Sequence, residues 1–142
     1  MKITEQLTKQ LAEFLSAGNI CYIHRQTGEV KYFPDTGGYD LADIDEELAE
    51  EFKEVEQEID QYHELKPMPS RDSFKIMEGF AETLPGGELK SALEQALSNR
   101  KPFAHFKALI DHSPMRQEWF DFKEKAELEW VADELKWLHE ED

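Results

Sequence analysis

Residues 40–64 carry twelve acidic side chains against one lysine, yet Leu41, Ile44, Leu48, Phe52, Val55 and Ile59 recur there every three or four positions. These two facts together restrict what the chain can become. A segment with this charge density and no periodicity would stay solvated, because it buries too little apolar surface to offset the entropy of ordering. The observed spacing instead collects the apolar groups on one side of an α-helix and the carboxylates on the other. One long acidic helix is expected, ending near residue 59, with Asp40 or Asp43 as its cap and acids in its first turn favoured by the helix dipole. The carboxylate face reads as a solvated surface that keeps the protein apart from itself, with mimicry of nucleic acid as the alternative.

The rest of the chain must supply the core beneath that stripe. Ile3, Leu7, Leu11, Phe14 and Leu15 mark one helical face over 3–17, and Gly18–Asn19 stop it. "ICYIHRQTGEVKYF" then places two runs rich in Ile, Val, Tyr and Phe around "RQTG". A β-hairpin is expected, with strands 20–25 and 29–33. Gln26 and Thr27 form a type I turn, and Gly28 takes the left-handed position that only glycine occupies without strain. "QYHELK" reads as a third strand, 61–66, stopped by "PMPS". Beyond it every segment is helical. Ser70 caps a helix carrying Phe74, Met77, Phe80 and Leu84, and a shorter helix spans 87–98. Pro102 opens a third, and Ser113–Pro114 starts a last one running to about 139 with Met115, Trp119, Phe122, Ala126, Trp130 and Trp137. The expected fold is a single α+β domain over residues 1–142: a small antiparallel sheet packed with helices, then a helical C-terminal half. So small a sheet cannot bury a face by itself, so at least one helix must cover it.

Charge and cysteine content narrow the function. A formal net charge of −16 repels a phosphate backbone, so nucleic acid is an unfavourable partner. No apolar run approaches a membrane span, and "MKITEQLTKQ" has no signal-peptide stretch, so a cytoplasmic protein is expected. Cys21 is the single cysteine, which excludes an internal disulfide and a multi-cysteine metal site. It lies in an apolar strand and reads as a small hydrophobe. The histidines pair as His24 with His63 on strands and His105 with His112, without the i, i+4 spacing and third ligand of a helical zinc motif. Ser70, Ser73 and Ser113 look like caps, and the glycine pairs at 37–38 and 86–87 match no phosphate loop. No catalytic motif emerges, and no cofactor or metal is expected.

One run departs from the acidic background. "NRKPFAHFKALIDHSPMRQEWFDF", residues 99–122, holds four basic side chains and five aromatics against three acids. Phe103, Phe106 and Trp119 are spaced to be buried together between two helices. Arg100, Lys101, His105 and Lys107 are the candidate ligand-binding residues. Their expected role is pairing with the acidic 43–58 helix; the alternatives are unpaired solvated charge and, after it, an external anion.

Three stretches resemble the bacterial uncharacterised protein family 0158: "YIHRQTGEV", "PMPSRDSFKIMEGFAETL" and "ALSNRKPFAHFKALIDHSPMRQEWFDF". The resemblance covers most of the chain and implies a fold without an assigned activity. His24 stands where that family usually has aspartate, and Ala104–His105 where it often has two arginines, which weakens any surface built on them. The functional expectation is a non-enzymatic cytoplasmic module that binds a protein partner. The alternative is anionic-ligand or nucleic-acid binding through the bases at 100–107.

Overall fold

The computed structural model describes residues 3–141, with side chains through Leu138. Its elements, in order, are α1 (Glu5–Ser16), β1 (Asn19–His24), β2 (Val30–Pro34), a 3-10 turn (Leu41–Asp43), α2 (Glu46–Gln57), a second 3-10 turn (Ile59–Gln61), β3 (Tyr62–Leu65), α3 (Ser70–Thr83), α4 (Glu88–Leu97), α5 (Pro102–Asp111) and α6 (Arg116–Glu141). This is the expected α+β class with a helical C-terminal half. The chain condenses into two compact units, one formed by the residues up to Met68 and again from Trp130, the other by Pro69–Glu129. No described helix is long and apolar enough to cross a membrane.

In the first unit the sheet has the order β2-β1-β3, antiparallel throughout. Strand residues alternate between faces. Ile20, Tyr22 and His24 share one face with Phe33 and Tyr62; Cys21 and Ile23 share the other with Tyr32, Leu65 and His63. The Tyr22 face packs on α2 through Val55 and Phe52. The Cys21 face lies under α1, where Phe14 stacks on Tyr32 at 3.9 Å. Both faces of β1 are therefore buried, which is why its sequence is apolar without alternation. His24 and His63, offered by the sequence as possible neighbours, point to opposite faces.

The hairpin follows its sequence signals with one change. His24 N–H donates to the Glu29 carbonyl at 2.8 Å and the His24 carbonyl accepts from Gly28 N–H at 2.9 Å, so the turn closed between His24 and Glu29 holds four residues, not three. Gly28 keeps the left-handed conformation, φ 75°. Gly28→Ala is expected to cost about 1 kcal/mol or more, because a Cβ is strained at positive φ. An unchanged urea midpoint would refute this. The His24 ring closes the same turn: its Nδ1 accepts from the backbone N–H groups of Gln26 and Thr27, each at 3.2 Å. That is what an aspartate carboxylate does at the start of an Asx turn, with a ring nitrogen serving here as the acceptor. His24→Asp should keep the stability, whereas His24→Ala should lose about 1 kcal/mol by leaving those donors without it. Equal midpoints for the two variants would show that the ring nitrogen does not matter.

The long acidic helix is not formed as one piece. Asp40 caps only the first 3-10 turn, accepting from Ala42 N–H at 2.9 Å. Asp45 then takes φ −157° and accepts from the N–H groups of Glu47 and Leu48 at 3.0 and 3.2 Å, starting α2 afresh. A carboxylate that captures two downstream donors ends the preceding turn as it begins the next. Ile44 and Ile59, outside α2, are correspondingly exposed.

The second unit packs α3, α4, α5 and the start of α6 around Met77, Phe80, Leu93, Phe106, Ile110 and Trp119. Trp119 meets Phe106 edge-to-face at 4.9 Å and Phe80 at 5.3 Å. Phe103, expected with them in the core, is 43% exposed. It lies three residues from Phe106 but on the edge of the helix face, since 3.6 residues make a turn. Ser70 is the first helical residue, not the cap; Pro69 occupies that position without a side-chain bond. Ser113 accepts from Met115 N–H at 3.2 Å and donates to the Ile110 carbonyl at 2.9 Å, joining α5 to a turn that delays α6 until Arg116. Among the described residues of α6, Trp119 is buried in the second unit and Val131 and Leu135 in the first, while Trp137, expected on the apolar face, is 63% exposed.

Candidate functional site

Lys101 is the one described non-glycine residue with positive φ, 55°. Pro102 sets its own φ for the first turn of α5 and disfavours right-handed helical geometry at Lys101, but it favours extended backbone there, and the left-handed φ has no explanation in the structure. Arg100 and Lys101 thus precede α5, and His105 and Lys107 ride on it; all four side chains are exposed. Within the second unit none of the four makes an ion pair among the described residues; the acidic helix expected as their partner belongs to the first unit. Exposed lysine and arginine gain little from pairing against the entropy of fixing a long side chain. Ala104 and His105 are exposed on the same helix.

The structure separates these candidates. Lys107 lines a pocket of about 490 Å³ enclosed by α3, α5 and α6, and Arg100, Lys101 and His105 do not. On α5, Phe103, Lys107 and Asp111 follow one another at four-residue intervals along the pocket edge. On α6, Arg116, Phe120, Lys123 and Glu127 form the facing stripe, with i, i+4, i+7 and i+11 spacing. The sequence reading missed that stripe. Its signal is the spacing itself, which runs beside the apolar series through Trp119. The floor is apolar: Ile76 and Met77 from α3, Phe106 from α5 and Trp119 from α6.

The polar rim is held by half-exposed contacts. The Arg116 guanidinium lies 3.6 Å from the Asp111 carboxylate and 5.2 Å from the centre of the Phe120 ring. Lys123 pairs with Glu127 at 3.6 Å one helical turn away. Lys107 has no such partner among the described residues, so three cations face two carboxylates around the pocket. Phe103 and Phe120 flank it with 43% and 42% of their surfaces exposed. The chemistry this arrangement offers is recognition: an apolar floor for a hydrophobic group, and a guanidinium and an ammonium for a carboxylate or phosphate. Ser73 also lines the pocket, with no hydrogen bond from its hydroxyl to a base among the described residues.

Other candidates stay apart. Cys21 is fully buried and its thiol is pushed up to about 12 by that burial, far from the thiolate a nucleophile needs. Among the described residues, no three His, Cys, Asp or Glu side chains converge as a metal site.

Residues 3–142 match the model of the Uncharacterised protein family (UPF0158). The UPF0158 protein PA5073 of Pseudomonas aeruginosa is similar, 28% identical over 79 residues that cover 55% of this chain and 50% of that protein. The match thus spans about half the length of this curated relative. No solved structure matches the chain.

Proposed function

The chain belongs to the uncharacterised protein family UPF0158, whose description assigns no reaction, and from that premise we propose that the protein works by binding, as a cytoplasmic protein-interaction module. The observation that carries this reading is the pair of exposed rings, Phe103 and Phe120, beside the unpaired Lys107 at one pocket. Large apolar groups left in water around a concave site are characteristic of a contact surface. The complementary partner is an acidic segment bearing an aromatic or branched aliphatic side chain. That side chain rests on Met77, Phe106 and Trp119, while its carboxylates meet Lys107 or exchange with Asp111 for the fork of Arg116. The net charge of −16 opposes an acidic partner at a distance, but screening over about 8 Å leaves the local rim to decide at contact. A buried, protonated thiol and the absence of a membrane-spanning helix among the described residues are compatible with the cytoplasm.

The test is to pan a random peptide library against the full chain and against a Phe103→Ala, Phe120→Ala double variant. Expected is enrichment of peptides with an aromatic or aliphatic residue flanked by Asp or Glu, lost on the variant and weakened by Lys107→Glu. Peptides that enrich equally on both proteins would remove the reading. In a parallel titration short labelled DNA and RNA should not bind. Binding that weakens steeply with salt and needs Arg100, Lys101 and Lys107 would put an anionic-ligand function in its place.

A further inference from the structure

A second cavity, of about 460 Å³, lies within the first unit, bounded by β1, β2, the 35–42 connection and α2. Four aromatic rings line it. Tyr22 and Phe33 form the floor and are almost fully buried, Phe52 stands half-buried at the side, and Tyr39 is 78% exposed. The three inner rings meet at interplanar angles of 60°, 58° and 70°, with centres 5.2 to 6.1 Å apart. These rings pack edge to face on one another, so Phe52 and Tyr39 are the rings that present most surface to the cavity.

Tyr39 has no packing reason to be where it is, yet its backbone is held. Gly37 and Gly38 take φ 66° and 107°, the Asp35 carboxylate accepts from Gly37 N–H at 3.1 Å, and the Thr36 hydroxyl donates to the Tyr39 carbonyl at 2.6 Å. Three carboxylates, Asp35, Asp40 and Glu56, also line the cavity, against the single cation Lys53. None of these four is ion-paired among the described residues.

We propose that this cavity binds an alkylated ammonium cation. Such a group is bulky and weakly hydrated, so it leaves water readily and is attracted to the negative faces of aromatic rings. The unpaired carboxylates add attraction at longer range, and the same charges disfavour anions. The site is independent of the α3–α5–α6 pocket and of the function proposed for it.

The experiment is an NMR titration of the full chain with choline and, in parallel, with its neutral carbon isostere, in which a tert-butyl group replaces trimethylammonium. Choline should shift amides around Tyr39, Ala42 and Phe52 saturably, and the isostere should bind several-fold more weakly. Tyr39→Ala should lower choline affinity about two- to fivefold with an unchanged Tm, because the ring is exposed and supports no core. Lys53→Met should raise the affinity by removing a like charge. An isostere that binds as tightly as choline, a Tyr39→Ala variant with unchanged affinity, or the absence of a saturable choline shift would each overturn the proposal.

Discussion

Phe106→Ala is expected to lower the free energy of unfolding by about 3–5 kcal/mol, the cost of deleting an enclosed ring and leaving its volume partly unfilled. The ring is 1% exposed and packs edge-to-face on Trp119, within the cluster that also holds Met77, Leu93 and Ile110. Every neighbour sits on a helix with its own packing, so collapse into the cavity is limited. Phe103→Ala, three residues away on the same helix, should change stability by well under half of that, since much of its ring is already in water. Urea unfolding of both variants makes the comparison internally controlled. Similar losses for the two would mean that Phe103 is part of the core and not of a binding surface. The tryptophan fluorescence of Phe106→Ala should also change, because Trp119 loses its partner ring.

Raising the pH from 9 toward 12 is expected to destabilise the protein through Cys21. Burial holds its thiol in the protonated form, moving the pKa from 9.0 to about 12. In the unfolded chain the proton leaves near the lower value; in the native chain it stays. Across that window the unfolded state binds fewer protons, so stability falls by about 1.4 kcal/mol per pH unit from this one group, on the order of 4 kcal/mol over the whole range. Below pH 9 both states keep the proton and the group contributes no slope. Tyr22 acts in the same direction: burial first, then the charge of Glu64 and the hydrogen bond the phenol donates to it at 3.1 Å, raise its pKa. The measurement is the urea midpoint at a series of alkaline pH values. Cys21→Ala should remove up to one proton from the slope, and the native thiol should resist alkylating reagents until the chain unfolds. A slope unchanged in Cys21→Ala would show that the thiol is not sealed in the native state.

Much of the fold was legible because it rests on local chemistry. The hairpin needed only β-rich runs around a glycine able to take positive φ, and α5 needed only proline at its first position. The apolar stripes of α1, α2 and α3 were visible because 3.6-residue periodicity survives in any sequence that packs one helical face. Residues 46–57 follow that rule; Asp45 ended the longer helix read from them because a capping carboxylate competes with helix continuation, and periodicity alone does not register that competition.

What only the tertiary structure decided is which side of each element meets which other. Along α6, Trp119 joins the core of the second unit and Val131 and Leu135 that of the first. No single stripe in the sequence represents two cores. Phe103 and Phe106 carry the same side chain, and they differ in burial because α5 turns Phe106 into the cluster with Met77 and Trp119 and leaves Phe103 at its edge. The pocket has the same origin: Lys107 was recognised as a base in an acidic chain, but Arg116, Phe120 and Lys123 became its neighbours only when two helices aligned their polar stripes. Likewise Tyr39 joins Tyr22, Phe33 and Phe52 across gaps of six to seventeen residues. Helix and strand propensities act over a few residues, whereas a binding surface depends on contacts between residues far apart in the chain, and those exist only after the hydrophobic faces have packed.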